Sequence, residues 1–89
     1  MRAVITVVGK DTVGILASVS SECAKHNVNV AEVTQTILQD LFCMIMLVEI
    51  DKLDIPFGDF ADIFEELGNE KNLKIHVMHE TIFNSMHKI

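Results

Sequence analysis

Apolar residues recur along this chain in two rhythms, one of period two and one of period three to four. Ala3 to Val8 is β-branched and almost wholly apolar. Such a run reads as a strand buried on both faces. Gly9 to Gly14 (GKDTVG) interrupts it. From Ile15 to His26, the residues Leu16, Val19, Ser20 and Cys23 fall on one face at helical spacing. Asp11 or Thr12 can cap that helix by accepting from its free N–H groups. Asn27 suits its C-terminal stop, because Asn tolerates the left-handed conformation. Asn29 to Gln39 alternates, with Val30, Thr34 and Leu38 set against Val33, Gln35 and Ile37. This predicts a strand with one wetter face, followed by a tight turn at Gln39 and Asp40. Leu41 to Ile50 reads as another strand buried on both sides. Pro56 suits the first turn of a second helix, in which Phe60, Ile63, Phe64 and Leu67 follow the helical period. Leu73 to Met78 alternates again, and Ile82, Phe83, Met86 and Ile89 predict a short amphipathic helix at the C-terminus.

The order is β-α-β-β-α-β with a terminal helix. It predicts an α+β, ferredoxin-like βαββαβ sandwich with a four-stranded antiparallel sheet and a short C-terminal helix. One domain spans residues 1–89, with a core over 1–79 and a helical tail over 80–89. The hydropathy agrees with that topology. The first and third strands, central in the sheet, are the two that are apolar on both faces; the second and fourth, at the edges, alternate. A helix-free face kept apolar by the central strands needs a cover, from the terminal helix, a second subunit or both.

Composition sharpens this expectation. The chain has 89 residues and is 49% hydrophobic, and a domain of this size buries only about 60% of its unfolded surface. Self-association is the obvious remedy. Thirteen acids against seven bases give a net charge of −6, the wrong sign for neutralising nucleic-acid phosphates. Between Glu49 and Glu70 lie eight acids and one base, which reads as a solvated helix face. Cys23 and Cys43 stand twenty apart with no CxxC spacing, as buried free thiols of a reducing compartment do. No apolar run is long enough to span a bilayer as a helix and none resembles a leader. The expectation is a cytoplasmic protein that binds neither membrane nor nucleic acid.

No catalytic constellation is evident. Ser18, Ser20, Ser21 and Cys23 have no evident base partner. His76 and His79 are three apart on a strand and point to opposite faces, a poor metal site. The expectation is therefore no enzyme, no metal and no cofactor. The first strand-to-helix junction is more informative. Gly14 lets backbone approach a ligand closely, and the helix start offers N–H groups and a positive dipole end suited to a carboxylate. Asp11 can accept from an ammonium group. The second strand is expected to start beside this junction, bringing Asn29 near it, and an amide both donates and accepts. These groups suit a small amino acid. The same residues also serve simply as a cap, a packing glycine and a turn residue.

The run Val7 to Val19 (VVGKDTVGILASV), followed by Asn27 to Val30 (NVNV), resembles the signature of ACT domains. Gln35 to Asp40, Phe42 to Met46 and His79 to Ile89 resemble the small free-standing members of that family. Similar domains occur in the glycine-cleavage transcriptional repressor and in front of formyltetrahydrofolate deformylase. The resemblance covers essentially the whole chain. It implies a βαββαβ regulatory module that dimerises and binds an amino acid between subunits. By position, the ligand-binding residues would be Asp11, Thr12, Val13, Gly14, Ile15 and Asn29. The expected partners are a small-molecule ligand, a second copy of the chain and a regulated protein. The competing expectation is an interaction or oligomerisation module without ligand, suggested by Met44, Met46, Phe83 and Met86.

Overall fold

A computed structural model describes residues 1–10 and 14–86. Its elements are β1 (Arg2–Gly9), α1 (Ile15–Lys25), β2 (Asn29–Leu38), β3 (Leu41–Glu49), α2 (Phe57–Lys71), β4 (Lys74–His79) and α3 (Glu80–Met86). The strands form one antiparallel sheet in the order β2-β3-β1-β4. This is the expected ferredoxin-like arrangement, with the two most apolar strands at the centre.

The core lies between one face of the sheet and the helices α1 and α2. Ala3, Ile5 and Val7 of β1 pair with Val48, Met46 and Met44 of β3, and all six are buried. Ile75 of β4 extends the layer beside Val7. From above, α1 inserts Ile15, Val19 and Cys23, and α2 inserts Phe60 and Phe64. The two phenyl rings meet edge to face at 4.9 Å, the geometry favoured by their quadrupoles. The turns follow local chemistry. Asn27, Gln39 and Asn72 each take a left-handed φ near +60° where a helix or strand ends.

Three expectations need correction. The α1 stripe is Ile15, Val19 and Cys23, whereas Leu16 is 39% exposed; the helix begins at Ile15, which takes the inward position and rotates Leu16 out. The N-cap of α1 is Gly14 at φ 73°, with no side-chain cap bond, so the cap position is neither Asp11 nor Thr12. Those two residues lie outside the described ones. Pro56 is likewise the N-cap of α2, one position before its first turn.

The third correction concerns double-sided burial. β3 buries Phe42, Met44, Met46 and Val48, but Leu41 and Ile45 on its other face are open to solvent. On β1, Val4 is buried and Val8 is exposed. The helices α1 and α2 form one layer, on the core face only. The seven-residue α3 packs on β1 and β4, at the end of the sheet where Val4 lies, and leaves the rest of that face open. The start of β2 packs Val30 against the core, but its far end projects beyond the helices, where Ile37 is 68% exposed.

Two glycines of α2 make opposite demands. An added Cβ at Gly68 would meet the Leu73 carbonyl oxygen at 2.8 Å and Ile75 Cγ1 at 3.2 Å, whereas one at Gly58 would meet nothing within 4 Å. Alanine gains about 1 kcal/mol over glycine inside a helix, and overpacking against backbone costs about 1–3 kcal/mol. Urea denaturation should find Gly58→Ala stabilised by up to about 1 kcal/mol. Gly68→Ala should be destabilised, because the clash exceeds the propensity gain.

Candidate functional site

The first half of the candidate site is the start of α1. Gly14 takes a left-handed conformation that L-residues rarely adopt. Its carbonyl accepts from Ser18 N–H at 2.9 Å, which begins the helical ladder. The N–H groups of Ile15, Leu16 and Ala17 precede that ladder and carry the positive end of the helix dipole. The Ile15 side chain is buried, so it anchors the helix start in the core, and only its backbone is available to a ligand. Asp11, Thr12 and Val13, named for the same site, lie outside the described residues.

Asn29 is not beside this junction. It pairs with Glu49 of β3, and Glu49 pairs with Arg2 of β1, so Asn29 sits level with the first residue of β1. Gly9 is seven residues further along that strand, a distance of roughly 23 Å. The reason is the crossover. The eleven residues of α1 rise about 16 Å and carry the chain back along the sheet, so β2 starts where β1 started. Within one chain, Gly14 and Ile15 lie at one end of the sheet and Asn29 lies at the other.

Asn29 has a developed environment of its own. Its Nδ2 donates to Glu49 Oε1 at 2.7 Å. With Asn27, Asp51 and Lys52 these two residues line a cleft of about 180 Å³. The N-terminal ammonium pairs with Asp51. Just behind, His26 Nδ1 lies 3.0 Å from Asp54 Oδ1, and Asn27 Nδ2 donates to Asp54 Oδ2 at 3.5 Å. An amide beside a carboxylate can hold an ammonium group while donating to a carboxylate, and the start of α1 can only receive an anion.

Sequence reasoning missed Glu49 and Asp51. A hairpin counted back from its turn pairs Leu38 with Leu41 and would place Asn29 opposite Ile50. A bulge between Val30 and Glu32 shifts the register and puts Glu49 there instead. No residue type at Ala31 announces that bulge. The histidines do separate as expected. His79 pairs with Ala3 on the core face and stacks on Phe57 at 4.0 Å, while His76 pairs with Thr6 on the opposite face. Among the described residues, no three His, Cys, Asp or Glu side chains converge on a common point.

With the fold and both half-sites placed, comparison with known proteins identifies the family. The family model described as the ACT domain matches residues 2–78. The chain belongs to the ACT-domain family. A UPF0237 protein of Methanococcus maripaludis is 48% identical over 99% of this chain and 98% of its own. An ACT domain protein from Streptococcus pneumoniae of solved structure superposes with a TM-score of 0.82 at 38% identity, covering 93% of each chain. The formyltetrahydrofolate deformylase of Pseudomonas syringae shares the fold over 88% of this chain but only 27% of its own, with a TM-score of 0.77 at 25% identity. ACT domains are generally regulatory domains that bind small molecules, often amino acids, and the enzymes among the neighbours carry the domain as a regulatory part. No helix among the described residues is long and apolar enough to cross a membrane.

Both cysteines are free thiols. Burial, reinforced by the charge of neighbouring Glu22, pushes the Cys23 thiol up to about 11, whereas Cys43 is half-buried on the open face of the sheet. A thiol-specific reagent at neutral pH should therefore modify Cys43 in the native protein and reach Cys23 only on unfolding. The raised Cys23 favours the folded state below the ordinary thiol value. That contribution should fade as pH climbs towards 11, seen as a falling denaturation midpoint in wild type that Cys23→Ala lacks.

Proposed function

We propose that this chain is a non-enzymatic, cytoplasmic sensor of an amino acid or a similar zwitterion, working as a homodimer whose ligand sits between subunits. The observation that carries this reading is the separation of the two half-sites. The helix start at Gly14 suits a carboxylate, and the Asn29–Glu49 cleft suits an ammonium group. They are roughly 23 Å apart in one chain, too far for one small ligand. β2 is an edge strand with exposed side chains on both faces. Antiparallel pairing of two β2 edges reverses one copy against the other. It carries Asn29 and Glu49 of one subunit to the end of the sheet where the partner's first loop lies. Asp11, Thr12 and Val13 complete the loop side of the site, with Gly14 and Ile15 at the helix start. A ligand held there favours one subunit arrangement over another, and a regulated protein reads that difference.

Calorimetry against the twenty amino acids should find at least one that binds at millimolar concentration or tighter, and no heat from any of them would overturn the reading. Asn29→Ala and Asp11→Ala should each abolish binding. Co-refolding the two variants should restore one intact site in each mixed dimer, because the wild-type Asp11 and Asn29 then face each other. A site within one chain would regain nothing.

A second reading is favoured by Ile45, Leu41 and Val8 on the open face of the sheet. In it the chain is an oligomerisation module without ligand, and α3 forms part of the contact. Removing residues 80–89 should then change the sedimentation coefficient and increase binding of a hydrophobic dye. An unchanged oligomer after that deletion would remove α3 from the contact.

A further inference from the structure

A cleft of about 430 Å³ opens where the end of β1, the end of α2 and the start of β4 come together. Lys10, Lys71 and Lys74 border it. The chain has seven bases against thirteen acids, yet three of the bases meet here and no carboxylate lines the cleft among the described residues. Lys71 and Lys74 have no ion-pair partner among the described residues, and Lys10 has only a long, exposed contact with Asp40 at 3.6 Å. The end of α2 would ordinarily disfavour an anion through its free carbonyls. Here Asn72 N–H donates to the Asn69 carbonyl, and Leu73 N–H to the Gly68 carbonyl at 2.7 Å. Val8, Leu41 and Leu73 give the cleft an apolar floor, and Asn69 and Asn72 add uncharged polar groups to its wall. The chemistry is thus a hydrocarbon floor under three ammonium groups.

We propose that this cleft binds a small organic dianion, its short apolar body on Val8, Leu41 and Leu73 and its charges on Lys71, Lys74 and Lys10. A monoanion leaves two of the three lysines without a counter-charge, a dianion leaves only one, and Lys10 already has Asp40 at 3.6 Å; an inorganic dianion leaves the apolar floor without contact. The cleft shares no residue with the amino-acid site, although Gly9 and Lys10 lead directly into the first loop, and Asn29 of the same chain lies at the opposite end of the sheet.

The test is a titration of the full chain, followed by amide chemical shifts, with succinate, butyrate and inorganic phosphate as probes. Succinate should give saturable shifts at Gly9, Lys10, Leu73 and Lys74, with an affinity roughly tenfold or more above that of butyrate and of phosphate. Lys71→Gln combined with Lys74→Gln should weaken succinate binding by roughly tenfold or more, while Lys25→Gln, outside the cleft, leaves it unchanged. Both lysines are exposed, so the double variant should fold, as an unchanged shift spectrum elsewhere will show. Equal shifts at Lys25 and Lys52, parity of butyrate or phosphate with succinate, or full binding by the double variant would each overturn the proposal.

Discussion

Phe60 and Phe64 of α2, with Ile15, Val19 and Cys23 of α1, press onto β1 and β3, and that contact sets the place of every other element. Burying side chains of this size supplies roughly 1.5–3 kcal/mol each, the largest favourable contribution in so small a chain. Two helices suffice for one face of a four-stranded sheet and no more. The opposite face, with Ile45 and Val8, and the edge strand β2, with Ile37, are what remains once the core is satisfied. The apolar excess of the sequence is therefore an excess of surface, concentrated where a second molecule can reach it.

Much of the architecture was legible because it rests on local pattern. Strand and helix periods located all seven elements, and the contrast between doubly apolar and alternating strands ordered the sheet. Asn27 and Asn72 end their elements with the left-handed geometry that Asn tolerates at little cost, and Gln39 takes the same geometry because its two-residue hairpin turn demands it. What local pattern does not carry is what lies above each face. Ile45 and Met46 are adjacent and equally apolar, but one faces solvent and the other is fully buried. Ile15 and Leu16 differ in the same way, because the helix phase is set by where the helix begins and not by its composition.

The site was half legible. Residue chemistry picked out the start of α1 as an anion acceptor and Asn29 as a polar contact, and both occupy exposed ends of the sheet. Their separation follows from the handed return of α1, which residue types alone do not reveal. The partnership of Asn29 with Glu49 depends further on a one-residue bulge near Ala31. The acidic stretch from Glu49 onward is correspondingly divided in role. Glu49 and Asp51 belong to the polar cleft at the sheet's end, while Asp59, Asp62, Glu65 and Glu66 are spread along α2 in keeping with a solvated helix.

The register of β1 with β4 sets the timing of folding. Ala3 pairs with His79, and Val8 with Lys74, so the central strand has one neighbour drawn from the far end of the chain. The β2–β3 hairpin closes over a two-residue turn and can form early. β1 must wait for β4, and until then its second edge is unpaired. Such long-range pairings slow a domain's collapse relative to a helical bundle of equal size. During synthesis, β1 is made before β4 and is among the last strands to be fully paired, a period in which its AVITVV run is open to pairing with the wrong strand.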